Sequence, residues 1–385
     1  MGDFYEKLYS SSNVRQEDID SLLDTVRLEH VLNETQKLGL ESEPRSLELL
    51  NAVNNIKENK SPGLDGIPIE LYKTFWAILE KTYTLMIKES WDEGVLPFST
   101  MTSVLSLIHK QGDTTKLSNY RPLSLSNTDY KIIACVFSER IQNVIGDLVN
   151  FDQTGYIKSR NICTSIRNVI DLYEYTEKYN IPGALICIDF EKAFDSVEHN
   201  FIFTVLKKFN FGDNFIKWMR LFYNNPCFKI KNNGWISKPY YMKRGIRQGC
   251  SMSALLFVLV VEILATMIRT DQNIKGLTIG KTEHKICQYA DDATIFSSDL
   301  ESIKVIISVI DIFSNIAGPK LNIGKTKGIW LGALKELGLR IYSGIQFTGN
   351  PVKCLGLYIG HNKEKCYKLN WVKKLVAIKN TISYW

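Results

Sequence analysis

Tyr289-Ala290-Asp291-Asp292, set between Ile286 and Thr294-Ile295-Phe296, decides how this chain is read. Two adjacent carboxylates at the tip of an apolar, β-prone segment are costly unless something neutralises them. Ile286, Ile295 and Phe296 read as a strand-turn-strand hairpin buried on one face, with the aspartates fixed at its bend. Closely spaced carboxylate oxygens suit a hard divalent cation such as Mg²⁺. A second apolar strand, Ala184-Leu185-Ile186-Cys187-Ile188-Asp189, ends in the same way. Three carboxylates on two neighbouring strands make the frame of a two-metal phosphoryl-transfer site. An acidic pair on a hairpin is also compatible with a solvated turn, and the rest of the chain has to decide.

With 385 residues, 45% hydrophobic and 23% charged, the chain is globular and long enough for two or three packed subdomains. The longest apolar run, Ala254 to Met267, is interrupted by Glu262 and reads as a buried helix, short of the roughly 18 residues that span a bilayer. Met1-Gly2-Asp3-Phe4 lacks a basic-then-apolar signal pattern, which points away from secretion. The eight cysteines form no C-x-x-C pair, and the five histidines complete no zinc spacing. They read as reduced, mostly buried thiols of an intracellular protein.

Net charge is +6, unevenly spread. Residues 1–60 hold 12 acidic and 7 basic side chains, whereas residues 320–385 hold 12 Lys and Arg against Glu336 and Glu364 alone. A basic C-terminal section beside a carboxylate site suggests a polyanionic partner, with a solvated lysine-rich surface as the plain alternative.

Along the chain, residues 1–60 read as amphipathic helices and Ser61-Pro62-Gly63-Leu64-Asp65-Gly66 as a dense turn. A long helix is expected from about Pro68 to Glu93, stopped by Gly94, then a strand from Thr102 to His109. Helices are expected over Asp129–Leu148 and Thr164–Lys178. The Asp189 strand follows, then two short helices and a hairpin at Asn232-Asn233-Gly234. A helix after Gly249, the aspartate hairpin and a helix over Leu300–Ile316 come next. Strands near Gly328–Leu331 and Val352–Ile359 precede a terminal basic helix. Helices interleaved with an antiparallel sheet give an α+β fold class.

Five further segments carry chemistry: Asn119-Tyr120-Arg121-Pro122-Leu123 with the earlier Lys110; Asp189-Phe190-Glu191-Lys192-Ala193-Phe194-Asp195; Arg244-Gly245-Ile246-Arg247-Gln248-Gly249-Cys250-Ser251; Gly318-Pro319-Lys320-Leu321-Asn322-Ile323-Gly324-Lys325-Thr326; and Lys353-Cys354-Leu355-Gly356-Leu357. In this order, with the aspartate hairpin, they resemble the reverse transcriptase domain of non-LTR retrotransposons (long interspersed elements) over nearly the whole chain. Ser251 and Ala254 stand where many members have proline, as does His109.

The resemblance implies a right-hand polymerase: fingers, a palm whose antiparallel sheet presents the carboxylates, and only the start of a thumb. It divides the chain into an N-terminal helical extension (1–60), fingers (61–183), palm (184–350) and a primer-grip hairpin with the start of a thumb (351–385). It implies that Asp189, Asp291 and Asp292 hold two Mg²⁺ ions, with the Phe190 carbonyl as a further oxygen and Mn²⁺ as a substitute. Phe194 would lie beneath the incoming sugar and exclude a 2′-hydroxyl. Gln248 and Gly249 would contact the nucleotide, and Arg247 would face substrate or template. Arg121 would clamp a phosphate with Lys110 as a nearby point charge. Lys325, ahead of Lys320 and Lys327, would act on the leaving pyrophosphate. Gly155-Tyr156 and Arg160-Asn161 match a segment that touches template. Asp195 reads as a helix N-cap.

The expected activity is RNA-directed DNA synthesis, with RNA template, DNA primer and deoxynucleoside triphosphates as partners and no membrane. The expected location is the nucleus or a cytoplasmic ribonucleoprotein. The alternatives are a catalytically silent or truncated descendant that only binds nucleic acid, another palm polymerase, or a scaffold. The residues specify neither the oligomeric state nor the RNA and target site.

Overall fold

In a computed structural model, which describes residues 1–338 and 340–383, the chain is an α+β protein with sheets flanked by helices. Two units are distinguished: residues 1–149, 192–260 and 316–318, and residues 150–191, 261–315 and 319–385.

The first unit begins with four helices, Gly2–Leu8, Gln16–Thr25, Glu34–Glu41 and Ser46–Asn55. Asn33 caps the third through a reciprocal bond with Gln36, so the turn chemistry sets where that helix starts. Helix Ile69–Glu93 follows Pro68 and stops at Gly94, whose φ of +72° a side chain would oppose. Strand Thr102–His109 pairs antiparallel with Tyr120–Ser126 and parallel with Cys227–Asn232. The last of these turns back through Asn233-Gly234, both at positive φ, as a two-residue hairpin requires.

The second unit is built on a six-stranded sheet in the order Ile286–Tyr289, Asp292–Ser297, Gly183–Ile188, Lys327–Leu331, Ile345–Phe347, Ile341–Tyr342. Gly183–Ile188 lies centrally, antiparallel to both neighbours. Its sequence is apolar throughout because both faces are covered. Val169, Leu172 and Tyr173 of helix Ile162–Lys178 pack in one cluster with Leu185, Phe296, Ile329 and Leu331. Burying a side chain of this size is worth roughly 1.5–3 kcal/mol, so the central strand is anchored before any polar contact is considered.

The structure corrects several expectations. Three short helices, not two, follow Asp189: Ala193–Ser196, His199–Lys208 and Asp213–Tyr223. Local pattern reads one strand over Val352–Ile359, whereas the chain forms a hairpin of Val352–Cys354 and Leu357–Ile359, as the resemblance implies, with Leu355 and Gly356 at positive φ. Helix Ser251–Thr270 is long and apolar enough to cross a membrane by length and composition, yet most of it is buried in the protein, as a core helix is. The cysteines are not all reduced thiols. Cys187 on the central strand and Cys354 on that hairpin form a disulfide, with Cα atoms 6.0 Å apart. Neither cysteine has a neighbour in sequence that announces the pair.

Candidate active site

Tyr289 pairs with Asp292, leaving Ala290 and Asp291 as a two-residue turn with Ala290 at φ +55°. The next strand begins at Asp292, and Ala293 pairs with Ile188 of the central strand. Asp189 follows Ile188 directly. The register therefore sets Asp189 and Asp292 at the same end of two adjacent strands, as the apolar runs predict.

The main chain of Asp189 is held on both sides. Its N–H donates to Thr326 Oγ1 at 3.3 Å, and its carbonyl accepts from Asn322 N at 2.8 Å. Phe190, buried, pairs with Leu321 in a short antiparallel ladder. The same loop carries Lys325, whose N–H donates to the Asn322 carbonyl at 3.1 Å. Asp189, Asp292, Lys325, Lys327 and Lys353 line one cleft of about 420 Å³. Lys327 donates to Gln346 on its wall. Lys320 is exposed on the strand preceding this loop and does not line the cleft.

Two carboxylates and three lysines around one cleft give a floor for a cation and a wall for anionic oxygens. Among the described residues, no three His, Cys, Asp or Glu side chains form a group able to hold a metal ion by themselves. The donor set on the cleft is the Asp189–Asp292 pair, with Asp291 beside it in the turn. Such oxygen donors fit a hard divalent cation that completes its shell with substrate phosphates and water.

Lys110, Arg121, Phe194, Arg247, Gln248 and Gly249 belong to the first unit, and Gly155, Tyr156, Arg160 and Asn161 to the second. Lys110 and Arg121 are exposed at the open end of the Thr102–His109 and Tyr120–Ser126 pair, where Lys110 N donates to the Asn119 carbonyl at 2.9 Å. Phe194 is half-buried and stacks on Phe257, ring centroids 4.3 Å apart. Gly249 has φ +106°, and a Cβ there would lie 2.9 Å from the Ser124 carbonyl oxygen. The preceding Gln248 carbonyl accepts from Ser124 N at 2.8 Å. Only glycine meets both conditions.

Arg247 lies differently from the expectation that it faces substrate or template. It is 1% exposed, its guanidinium donates to the Met101 carbonyl at 3.3 Å, and it sits 4.2 Å from the Tyr130 ring centroid. The charge is turned into the core of its unit. Asp195 is likewise no N-cap. It lies inside Ala193–Ser196, 2% exposed, and accepts from Tyr9 Oη at 3.0 Å and Gln248 Nε2 at 2.9 Å.

Burial pushes the Asp195 carboxyl up to about 6, against the pull of those bonds and of Lys192. Below about pH 4 the group is protonated in folded and unfolded chains alike. As pH rises from about 4 to about 6 the unfolded chain gives up its proton before the folded one, so stability is lost across that window. Asp195→Asn keeps an acceptor oxygen for Tyr9 and Gln248 without the charge. It is expected to raise the melting temperature at pH 8 and leave it unchanged at pH 4. Equal melting of both proteins at pH 8 would refute the buried-charge penalty.

Sequence reading missed Gln153. It is fully buried, and its Oε1 accepts from Gly155 N at 2.8 Å and from Ala290 N at 2.9 Å. The one available hint was its place two residues before Gly155-Tyr156.

Residues 108–359 match the family described as reverse transcriptase (RNA-dependent DNA polymerase). The chain is 30% identical over 359 residues to the transposon TX1 uncharacterized 149 kDa protein of Xenopus laevis, across 92% of this chain and 27% of that protein. It is 24% identical over 306 residues to the retrovirus-related Pol polyprotein from type-2 retrotransposable element R2DM of Drosophila melanogaster, across 78% of this chain and 27% of that one. It thus spans about a quarter of the length of these relatives. Among solved structures, it is similar to apo telomerase from Candida tropicalis truncated from the C-terminal domain, with a TM-score of 0.48 and 13% identity over 75% of this chain and 59% of that one.

Proposed function

This chain belongs to the reverse transcriptase (RNA-dependent DNA polymerase) family, and we propose that it extends a DNA primer on an RNA template with deoxynucleoside triphosphates. The observation that carries this reading is the pairing of Ile188 with Ala293, which brings Asp189 and Asp292 to one cleft with Lys325. In this reading Asp189, Asp291 and Asp292, with the Phe190 carbonyl, hold a pair of Mg²⁺ ions, for which Mn²⁺ can substitute. Ions bound there would make the primer 3′-hydroxyl more acidic and offset the charge of the triphosphate.

The chain's own groups account for the rest. Lys325 gives a proton or a positive charge to the departing pyrophosphate, and Lys327 and Lys353 add to the positive wall. Arg121 and Lys110 grip the triphosphate, Gln248 and Gly249 contact the nucleotide, and Phe194 blocks a 2′-hydroxyl. In the same reading, residues 61–183 act as fingers, 184–350 as palm and 351–385 as primer grip with the start of a thumb, residues 339, 384 and 385 lying outside the described residues. The basic 320–385 section holds the duplex through phosphate contacts, so binding weakens as salt rises.

Incubation with a labelled DNA primer on an RNA template, four deoxynucleoside triphosphates and Mg²⁺ tests the proposal. A ladder of extended products that EDTA abolishes is expected. Tight binding with no extension would favour the silent nucleic-acid binder. Phe194→Val is expected to raise ribonucleotide incorporation relative to deoxynucleotide by about 10-fold or more, the scale of one removed steric contact of 1–3 kcal/mol. Single-nucleotide kinetics with unchanged discrimination would return the ring to ordinary packing against Phe257.

A further inference from the structure

The turn that presents Asp291 and Asp292 does not hold itself. Ala290 sits at φ +55°, a left-handed conformation that disfavours a residue with a Cβ. Its strand, Ile286–Tyr289, is the last of its sheet. An edge strand that ends in a disfavoured turn gains from a partner along its outer side.

The segment 152–155 supplies the missing support. Gln288 N donates to the Asp152 carbonyl at 2.8 Å, and Thr154 N donates to the Gln288 carbonyl at 3.0 Å. These bonds form a parallel bridge between Gln153 and Gln288 along the outer edge. From that bridge the Gln153 side chain reaches the turn, where one amide oxygen accepts both Gly155 N and Ala290 N. Gly155 makes the approach possible, since a Cβ there would lie 2.4 Å from Ala290 N. The segment is anchored behind. Arg269 donates to both Asp152 carboxylate oxygens, at 3.0 and 2.8 Å, and also binds Glu262. Arg160 donates to the Asn150 and Gln153 carbonyls.

We propose that Gln153 is a positioning residue for the active site, fixing the Ala290-Asp291 turn so that Asp291 and Asp292 face the cation shared with Asp189. The proposal rests on the polymerase reading for the cation's role in extension. Ordinary packing does not explain the side chain. Its Nε2 is buried without a hydrogen-bond partner, so an apolar residue of the same length would serve a packing role at least as well. What such a residue cannot do is accept the Ala290 N–H.

Gln153→Met makes that distinction. Loss of a buried acceptor is worth about 10- to 100-fold in local opening. The Ala290 amide should therefore exchange with deuterium faster by about that factor, while the Ile295 and Phe296 amides keep wild-type rates. Mn²⁺ binding followed by electron paramagnetic resonance should weaken by about 10-fold, and the Mg²⁺ concentration for half-maximal extension should rise likewise with the nucleotide KM unchanged. Gln153→Glu, which keeps acceptor oxygens, should restore Ala290 protection.

An unchanged Ala290 amide, a uniform rise in exchange across the sheet, or a freed Ala290 with undiminished Mn²⁺ binding would overturn the proposal. So would failure of Gln153→Glu to restore protection, or a wild type that binds no Mn²⁺. If Gln153→Met does not fold, Gln153→Asn, which withdraws the oxygen by one methylene, is read by the same criteria. A wild type that binds Mn²⁺ and shows the coupled change but extends no primer would sink the polymerase reading and leave this assignment standing.

Discussion

Asp189→Asn and Asp292→Asn, made separately, are expected to lower single-turnover primer extension by about 10³-fold or more, or roughly 4 kcal/mol of transition-state stabilisation. Primer–template affinity should change little, because neither carboxylate is a phosphate-binding group. The fold should persist. Asp189 is held by its main chain through Thr326 and Asn322, and Asp292 by pairing with Tyr289. Neither set of bonds involves the substituted oxygens. Melting within a few degrees of wild type, or higher where like charges are relieved, would accompany the loss. An unfolded variant would contradict this account of how the strand ends are held, and a variant with near-normal extension would contradict the site.

Gly318→Ala is expected to have the largest effect on stability. Gly318 has φ +108°, and a Cβ there would lie 1.9 Å from the Ser196 carbonyl oxygen. The opposing atom is backbone, so no rotamer change relieves the clash. The neighbouring bond from Glu198 N to the Ala317 carbonyl, at 2.9 Å, ties the same two segments together and would have to break. Overpacking, a disfavoured φ and a lost buried bond together cost about 4 kcal/mol or more. Urea unfolding followed by near-UV circular dichroism should move to clearly lower denaturant. A transition that overlays wild type would mean that the Ser196 segment yields easily.

Features carried by local pattern were legible in the sequence. Apolar, β-prone residues on either side of the aspartates predicted the hairpin, and its register brings Asp292 beside Asp189. Pro68 and Gly94 bounded the long helix to within a residue, and Asn233-Gly234 marked its hairpin. Features that depend on distant partners were not legible. Gln153 is defined by an amide 137 positions away, and Cys187 by a cysteine 167 positions away. Asp195 has the residue type of an N-cap, but Tyr9 and Gln248 fold over it and make it a buried acceptor. Arg247 has the residue type of a phosphate ligand, but Tyr130, Phe228 and the Met101 carbonyl enclose it. In each case the residue type was informative and the environment decided its use.

The central claim is that a divalent cation sits where Asp189 meets the Asp291-Asp292 turn, and replacing Mg²⁺ by Fe²⁺ tests it most directly. Iron bound in place of magnesium generates hydroxyl radicals with ascorbate and peroxide, and these cut only the backbone nearest the ion. Cuts at residues 188–190 and 290–293, suppressed by excess Mg²⁺ and absent in Asp292→Asn, are the predicted result. Cuts confined to other segments, or the same cuts in Asp292→Asn, would contradict it.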